Sequence, residues 1–177
     1  MKCKFKGGNA RPWVVFLWLV SVAAPRAQAD FSWSTNIDGT IIIEDYSGPG
    51  GNVNIPGVIA GKAVTAIGNC VFAPSDNLTG VTMPDSITNI GMSAFLECAG
   101  LTNVVFSGNV VQIEDGAFYG CSGLTRVAIP GSVVRLGGLV FNGCAGLTNI
   151  AIPKDVSVIG AGAFGAGARL TAVEVAA

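Results

Sequence analysis

The residues of this 177-residue sequence that come nearest to a chemical pattern are three cysteines, Cys98, Cys121 and Cys144, which recur at an interval of 23. Stacked on successive rungs of a coil at the roughly 4.8 Å spacing of neighbouring strands, they fall within the range a disulfide accepts. In an exported chain one adjacent pair could therefore oxidise. The simpler reading is a column of small buried thiols, because Ser75 and Gly167 fill the same column in the flanking units and an unpaired cysteine packs as a small hydrophobe. Cys70 stands outside the column, and Cys3 is lost if the leader is removed. No metal is expected, since there is no histidine and no C-x-x-C pair. The missing histidine also removes the usual general base. Acids such as Glu97, Glu114, Asp115 and Asp155 fall in different columns, so no carboxylate pair with hydrolase geometry is in view. With no nucleophile beside a base and no glycine-rich phosphate loop opening a helix, the chain reads as not an enzyme, with no catalytic residue and no cofactor.

The elements that would position such residues are set by the same interval. Leucine recurs at Leu78, Leu101, Leu124, Leu147 and Leu170, and phenylalanine at Phe72, Phe95, Phe118, Phe141 and Phe164. A period held this strictly predicts a solenoid in which each unit buries its apolar side against its neighbours. Each unit opens with an L-x-x-V-x-I strand, as in Leu101, Val104 and Phe106, and turns at a site such as Pro130-Gly131-Ser132. A second short extended piece follows, for example Val110 to Ile113. Then come a tight, single-turn helical segment beginning at Ala117-Phe118 and an ending such as Cys121-x-Gly123. Asn77 shares the column of Gly100, Gly123 and Gly146, and asparagine tolerates a left-handed backbone, so positive φ is predicted there. The phenylalanines read as an inward ladder, and Thr79, Thr102, Thr125, Thr148 and Thr171 as a column of hydroxyls that satisfy each other and the strand edge.

Residues 1–29 join a basic head (Lys2, Lys4, Lys6, Arg11) to an apolar run from Trp13 to Ala24 and a small-x-small site at Ala27 to Ala29. This is the pattern of a secretory signal peptide, with cleavage after Ala29. The run is shorter than the roughly 20 residues of a membrane span. A secreted or cell-surface location follows, with no membrane insertion after cleavage. The remaining chain keeps five cations (Lys62, Arg126, Arg135, Lys154, Arg169) against eleven acids, a net charge of −6. That balance argues against nucleic acid as a partner. Residues 30–54 read as an N-terminal cap in which Phe31, Trp33, Tyr46 and Ile41 to Ile43 cover the first rung. Residues 55–77 read as a longer first repeat with five extra residues in the Gly57 to Lys62 region, 78–169 as four 23-residue repeats, and 170–177 as a partial last one. Asn77-Leu78-Thr79 matches a glycosylation sequon.

The units, of which Thr-Arg-Val-Ala-Ile-Pro-Gly-Ser-Val at 125 to 133 is representative, resemble the BspA-like bacterial leucine-rich repeats, whose pattern runs close to LTxVxIPxSVxxIGxxAFxxCxx. The resemblance covers about residues 55–175. It implies a right-handed leucine-rich-repeat superhelix, rich in β structure, with a parallel sheet on one face, short second strands and short helical turns. It also implies a secreted or surface protein used for binding or adhesion. It transfers a scaffold and no ligand.

Outward side chains of the first strands, Thr82, Asn103, Val105, Arg126, Ala128, Asn149, Ala151 and Glu174, form the expected binding face. A small, weakly charged strip suits a protein or a flat polysaccharide surface. It also suits a structural spacer, or a fragment of a longer surface protein, with no ligand of its own. The edge of the last strand, Leu170 to Val175, is expected to be open to self-association with another copy.

Overall fold

A computed structural model describes Cys3 and residues 30–165 and 169–175, with side chains as far as Thr171. The chain opens with two antiparallel strands, β1 (Phe31–Thr35) and β2 (Ile41–Tyr46), followed by β3 (Gly51–Asn54) and the hairpin β4 (Val58–Ile59) and β5 (Lys62–Ile67). Each later unit supplies one strand to each of two stacks. One stack takes β6 (Leu78–Thr82), β8 (Asn103–Val105), β10 (Arg126–Ala128), β12 (Asn149–Ile152) and β14 (Ala172–Val175). The other takes β7 (Asn89–Ile90), β9 (Gln112–Ile113), β11 (Arg135–Leu136) and β13 (Val158–Ile159).

The second stack is the continuous one. Its order is β1-β2-β5-β7-β9-β11-β13, with β4 beside β5, and it is parallel from β2 onward apart from that hairpin. The first stack, expected to be a single sheet, is two three-stranded sheets, β3-β6-β8 and β10-β12-β14. The gap between β8 and β10 coincides with the unit that departs from its neighbours. Phe106 takes the column of Met83, Ile129 and Ile152, and Ser107 takes the column of Pro84, Pro130 and Pro153. Phe106 turns edge-on to Phe118 at 5.7 Å, and buried Ser107 donates to the Ile87 carbonyl at 2.8 Å.

The phenylalanine column stacks face to face. Centroids from Phe72 through Phe95, Phe118 and Phe141 to Phe164 are 4.8, 5.0, 5.5 and 5.9 Å apart, with planes within 11°. Leu78, Leu101, Leu124 and Leu147, with Ile67, Ile90, Ile113 and Leu136, fill the rest of the buried interior. In the long sheet Ile159 occupies the column of those isoleucines yet is 47% exposed, because β13 is the last strand.

The phenylalanine segments were expected to be single helical turns, and no helix occurs among the described residues. The reason lies in where their amides go. The N–H groups of Phe72, Phe95, Phe118 and Phe141 donate to Ala94, Ala117, Val140 and Ala163 on the next rung, so they cannot close a helix onto their own chain. Intervening residues close short turns, as Cys98 to Phe95 and Leu96 to Ser93.

The cap works through fewer residues than expected. Phe31, Ile41 and Ile43 are buried, and Tyr46 lies between Phe31 and Phe72 at 4.9 and 5.1 Å, extending the aromatic ladder by one ring. Trp33, expected to cover the first rung, is 43% exposed. The extra residue of the β1–β2 bulge, Glu44, lies on β2 and leaves Trp33 opposite Ile43; Trp33 is exposed on β1, the edge strand, which has only β2 beside it among the described residues. β3, inside the stretch read as cap, is already a parallel rung, with Val53 opposite Val81. The extra residues before Lys62 form the β4–β5 hairpin, whose central Ala60 and Gly61 both have positive φ, as the favoured two-residue turn requires.

The glycine column needs a different explanation from the one expected. None of Gly100, Gly123, Gly146 or Asn77 has positive φ. A Cβ on Gly123 would lie 2.6 Å from the Ala99 carbonyl oxygen and one on Gly146 2.5 Å from that of Ser122. Glycine is required because the rung below passes too close. From Cys70 onward, the left-handed residues fall in two other columns, Cys70, Ser93, Gly116, Leu139 and Gly162, and Glu97, Gly120 and Gly143.

Cys3, read as lost with the leader, is disulfide-bonded to Cys70 in the full chain. The rest of residues 1–29 lies outside the described part. Among the described residues, no helix is long and apolar enough to cross a membrane.

Candidate interaction surfaces

Strand alternation puts every second residue of the first stack outside. Thr82, Asn103, Val105, Arg126, Ala128, Asn149 and Ala151 are all exposed. Thr82 faces Val105 across β6 and β8, while Arg126 faces Asn149 and Ala128 faces Ala151 across β10 and β12. The ladder pairing is interrupted between β8 and β10, though the two strands remain neighbours. Glu174 pairs with Ala151 through its backbone; its side chain lies outside the described part. Beside the strip, threonine hydroxyls donate to carbonyls one rung away: Thr102 to Thr79 at 3.0 Å, Thr148 to Thr125 at 3.4 Å and Thr171 to Thr148 at 3.2 Å. Thr171 also donates to the Asn149 side-chain oxygen at 3.2 Å. The sequon residue Asn77 donates its side-chain amide to the Pro49 carbonyl at 2.7 Å.

The cysteine column is buried and unoxidised. Each thiol donates to a phenylalanine carbonyl on the preceding rung: Cys98 to Phe72, Cys121 to Phe95 and Cys144 to Phe118, at 3.3, 3.0 and 3.2 Å. Burial pushes the Cys121 thiol far up, with the adjacent Cys98 and Cys144 adding to the shift, and burial raises Cys144 to about 12. Raised thiol pKa values stabilise the fold below the ordinary value near 9, and that contribution is lost as pH climbs from there towards the folded value. In the folded protein at pH 8, Ellman's reagent should find these three thiols unreactive, and denaturant should release them together. Stability measured by urea titration should fall steadily above pH 9.

A feature missed by sequence reasoning lies on the turn side, where Met92, Leu96, Asp115, Tyr119, Gly138 and Leu139 help line an open, mainly apolar groove of about 550 Å³. It crosses several rungs. Asp115 accepts the Gly138 N–H at 2.7 Å, and Asn69 accepts the Met92 N–H at 2.8 Å, so side chains of this column fasten one rung to the next. Met92 is shared with a second depression of about 370 Å³ that includes Glu44 and Glu114. The sequence signal was available: Leu139 stands in a column otherwise filled by Cys70, Ser93, Gly116 and Gly162, where a large apolar side chain has no place in the interior.

Inward columns that hardly vary, with outward columns that do, define a leucine-rich-repeat solenoid. The family described as BspA type leucine rich repeat region matches residues 51–175 in six copies, and the chain belongs to that family. Among solved structures it is similar to a leucine rich repeat protein of T. pallidum, with 31% identity, a TM-score of 0.81, and coverage of 85% of this chain and 70% of that one. It is also similar to a leucine rich cell surface protein from Faecalibacterium prausnitzii, at 28% identity and TM-score 0.72, covering 85% of this chain and 39% of that one. For a leucine-rich repeat protein from Bacteroides ovatus the values are 26% and 0.73, covering 90% and 41%. The chain thus spans about two fifths of the length of these last two. No curated protein matches.

Proposed function

We propose that this chain is an exported, non-catalytic protein-binding or adhesion module that works through the outward face of β6, β8, β10 and β12. The observation that carries the reading is the face itself: Asn103, Val105, Arg126 and Asn149 stand exposed on strands whose inward side chains are fixed core. Varied side chains on a rigid repeat are what a binding surface needs, because the scaffold is ordered before the partner arrives. Family membership supports a protein-binding repeat module, and the F. prausnitzii relative is described as a cell surface protein. A polysaccharide surface is the second ligand class the face would suit.

The competing reading is a spacer without a ligand. It draws support from Ala128 and Ala151, which give the middle of the strip little to hold with. Arg126→Glu and Asn149→Lys, each exposed and outside the core, separate the two. On immobilised extracellular-matrix proteins, surface plasmon resonance should show binding by the parent chain and a loss of about tenfold in each variant, the typical effect of removing a contact near an interface centre. Unchanged binding in both variants would rule out the sheet face as the contact surface.

A further inference from the structure

The turn-side groove is distinct from the sheet face and shares none of its residues. Leu139 is its most unusual member. Its backbone sits at φ 56°, in the left-handed region, while Gly116 and Gly162 hold the equivalent places on the rungs to either side. A leucine there is strained, and glycine would serve the turn better. The side chain is also 46% exposed, and Met92, which lines the same groove, is 38% exposed. Two unfavourable features thus converge on one residue, and Leu96 and Tyr119 extend the apolar lining beside it.

The charges around this lining have one sign. Asp115 is within the groove, Glu97 follows Leu96, and Glu44 and Glu114 line the adjoining depression. Of the cations outside the leader, Lys62 belongs to the β4–β5 hairpin, Arg126 to β10 and Arg135 to β11. Lys154 lies in the turn after β12 and Arg169 just before Leu170. None lines either depression. We infer that the turn-side groove docks a basic amphipathic segment of a partner protein, with one or two large apolar side chains over Met92, Leu139 and Tyr119 and flanking Lys or Arg beside Asp115 and the glutamates. An anionic lipid surface is repelled by the same acids. A second copy of this chain, counted from residue 30, brings five cations against eleven acids, a net charge of −6, and an acidic turn side of its own. The inference rests on the protein-binding reading but uses a different surface, so the two fail separately.

The test is panning of a random-peptide phage library against the secreted product of the full chain, followed by titration of the enriched peptides. Enriched sequences should set Lys or Arg beside Leu, Phe or Trp. Their affinity should fall as NaCl rises. Leu139→Gly should weaken them about tenfold, the worth of one buried leucine contact. Because glycine suits φ 56°, this variant should keep or raise Tm, which separates lost docking from lost folding. Asp115→Asn keeps the oxygen that accepts from Gly138 and removes the charge, so it should weaken binding several-fold without unfolding the turn. Arg126→Glu on the sheet face should leave peptide binding unchanged. The inference is overturned if no sequence is enriched, if enriched peptides are acidic or uncharged, if Leu139→Gly binds them as well as the parent does, or if light scattering shows Leu139-dependent dimers in place of peptide binding.

Discussion

Phe118→Ala should lower stability by about 4 kcal/mol, at the upper end for a large-to-small change in a core. The ring lies between Phe95 at 5.0 Å and Phe141 at 5.5 Å, nearly parallel to both, and Phe106 meets it edge-on. Removing it takes away contacts on three sides. It also opens a space that the rungs cannot close, because the amide of residue 118 is bonded to Val140 and its carbonyl accepts the Cys144 thiol. Thermal unfolding should show Tm lower by about 10 °C for a domain of this size. Phe164→Ala is the internal comparison. Phe164 is only partly buried and stacks on Phe141 alone among the described rings, so its loss should be less than half as large. Equal losses at the two sites would mean that the ladder does not concentrate stability at its middle.

Gly123→Ala should cost about 2–3 kcal/mol although it adds a single methyl group. The new Cβ would lie 2.6 Å from the Ala99 oxygen and 2.9 Å from the Leu101 oxygen, both backbone atoms of the rung below. Neither can swing aside as a side chain would, so two rungs must separate, and overpacking of this kind is destabilising. Gly131→Ala, with nothing within 4 Å of its Cβ, should change stability by less than about 0.5 kcal/mol. Urea titration of the pair checks the claim. If Gly123→Ala were as harmless as Gly131→Ala, the rungs would be less tightly stacked than described.

That glycine column shows where sequence reasoning stopped. A residue that permits either unusual dihedrals or close approach looks the same in a string of letters, and only the position of the Ala99 carbonyl decides between them. Trp33 is a similar case: alternation places it with Phe31, and only the position of β1 at the edge of the sheet leaves it exposed. The inward columns were legible for the opposite reason. Leu101, Phe118 and Cys121 recur in every interior unit because each must meet its own counterpart one rung away, so the spacing of the letters is the spacing of the contacts. The outward strip from Thr82 to Ala151 could be read by the same alternation, though the break in pairing between β8 and β10 coincides with Phe106 and Ser107, whose departure from the pattern carried no visible consequence. The groove was hidden because it belongs to no single unit. Met92, Tyr119 and Leu139 come from three different rungs and three different columns, and they form one surface only when the rungs are stacked.

On the function proposed above, the repeat is scaffold where its units agree and binding surface where they differ. The most direct test is to level those differences on the sheet face without touching the core, with Thr82→Ala, Val105→Ala and Arg126→Asn combined in one chain. Each change imports a residue type already present in the same column, Ala128 and Ala151 for the first two and Asn103 and Asn149 for the third. Surface plasmon resonance on immobilised extracellular-matrix proteins, read beside Tm, is the measurement. Binding lost with Tm unchanged is the predicted result; binding retained at the parent level with Tm unchanged would contradict it.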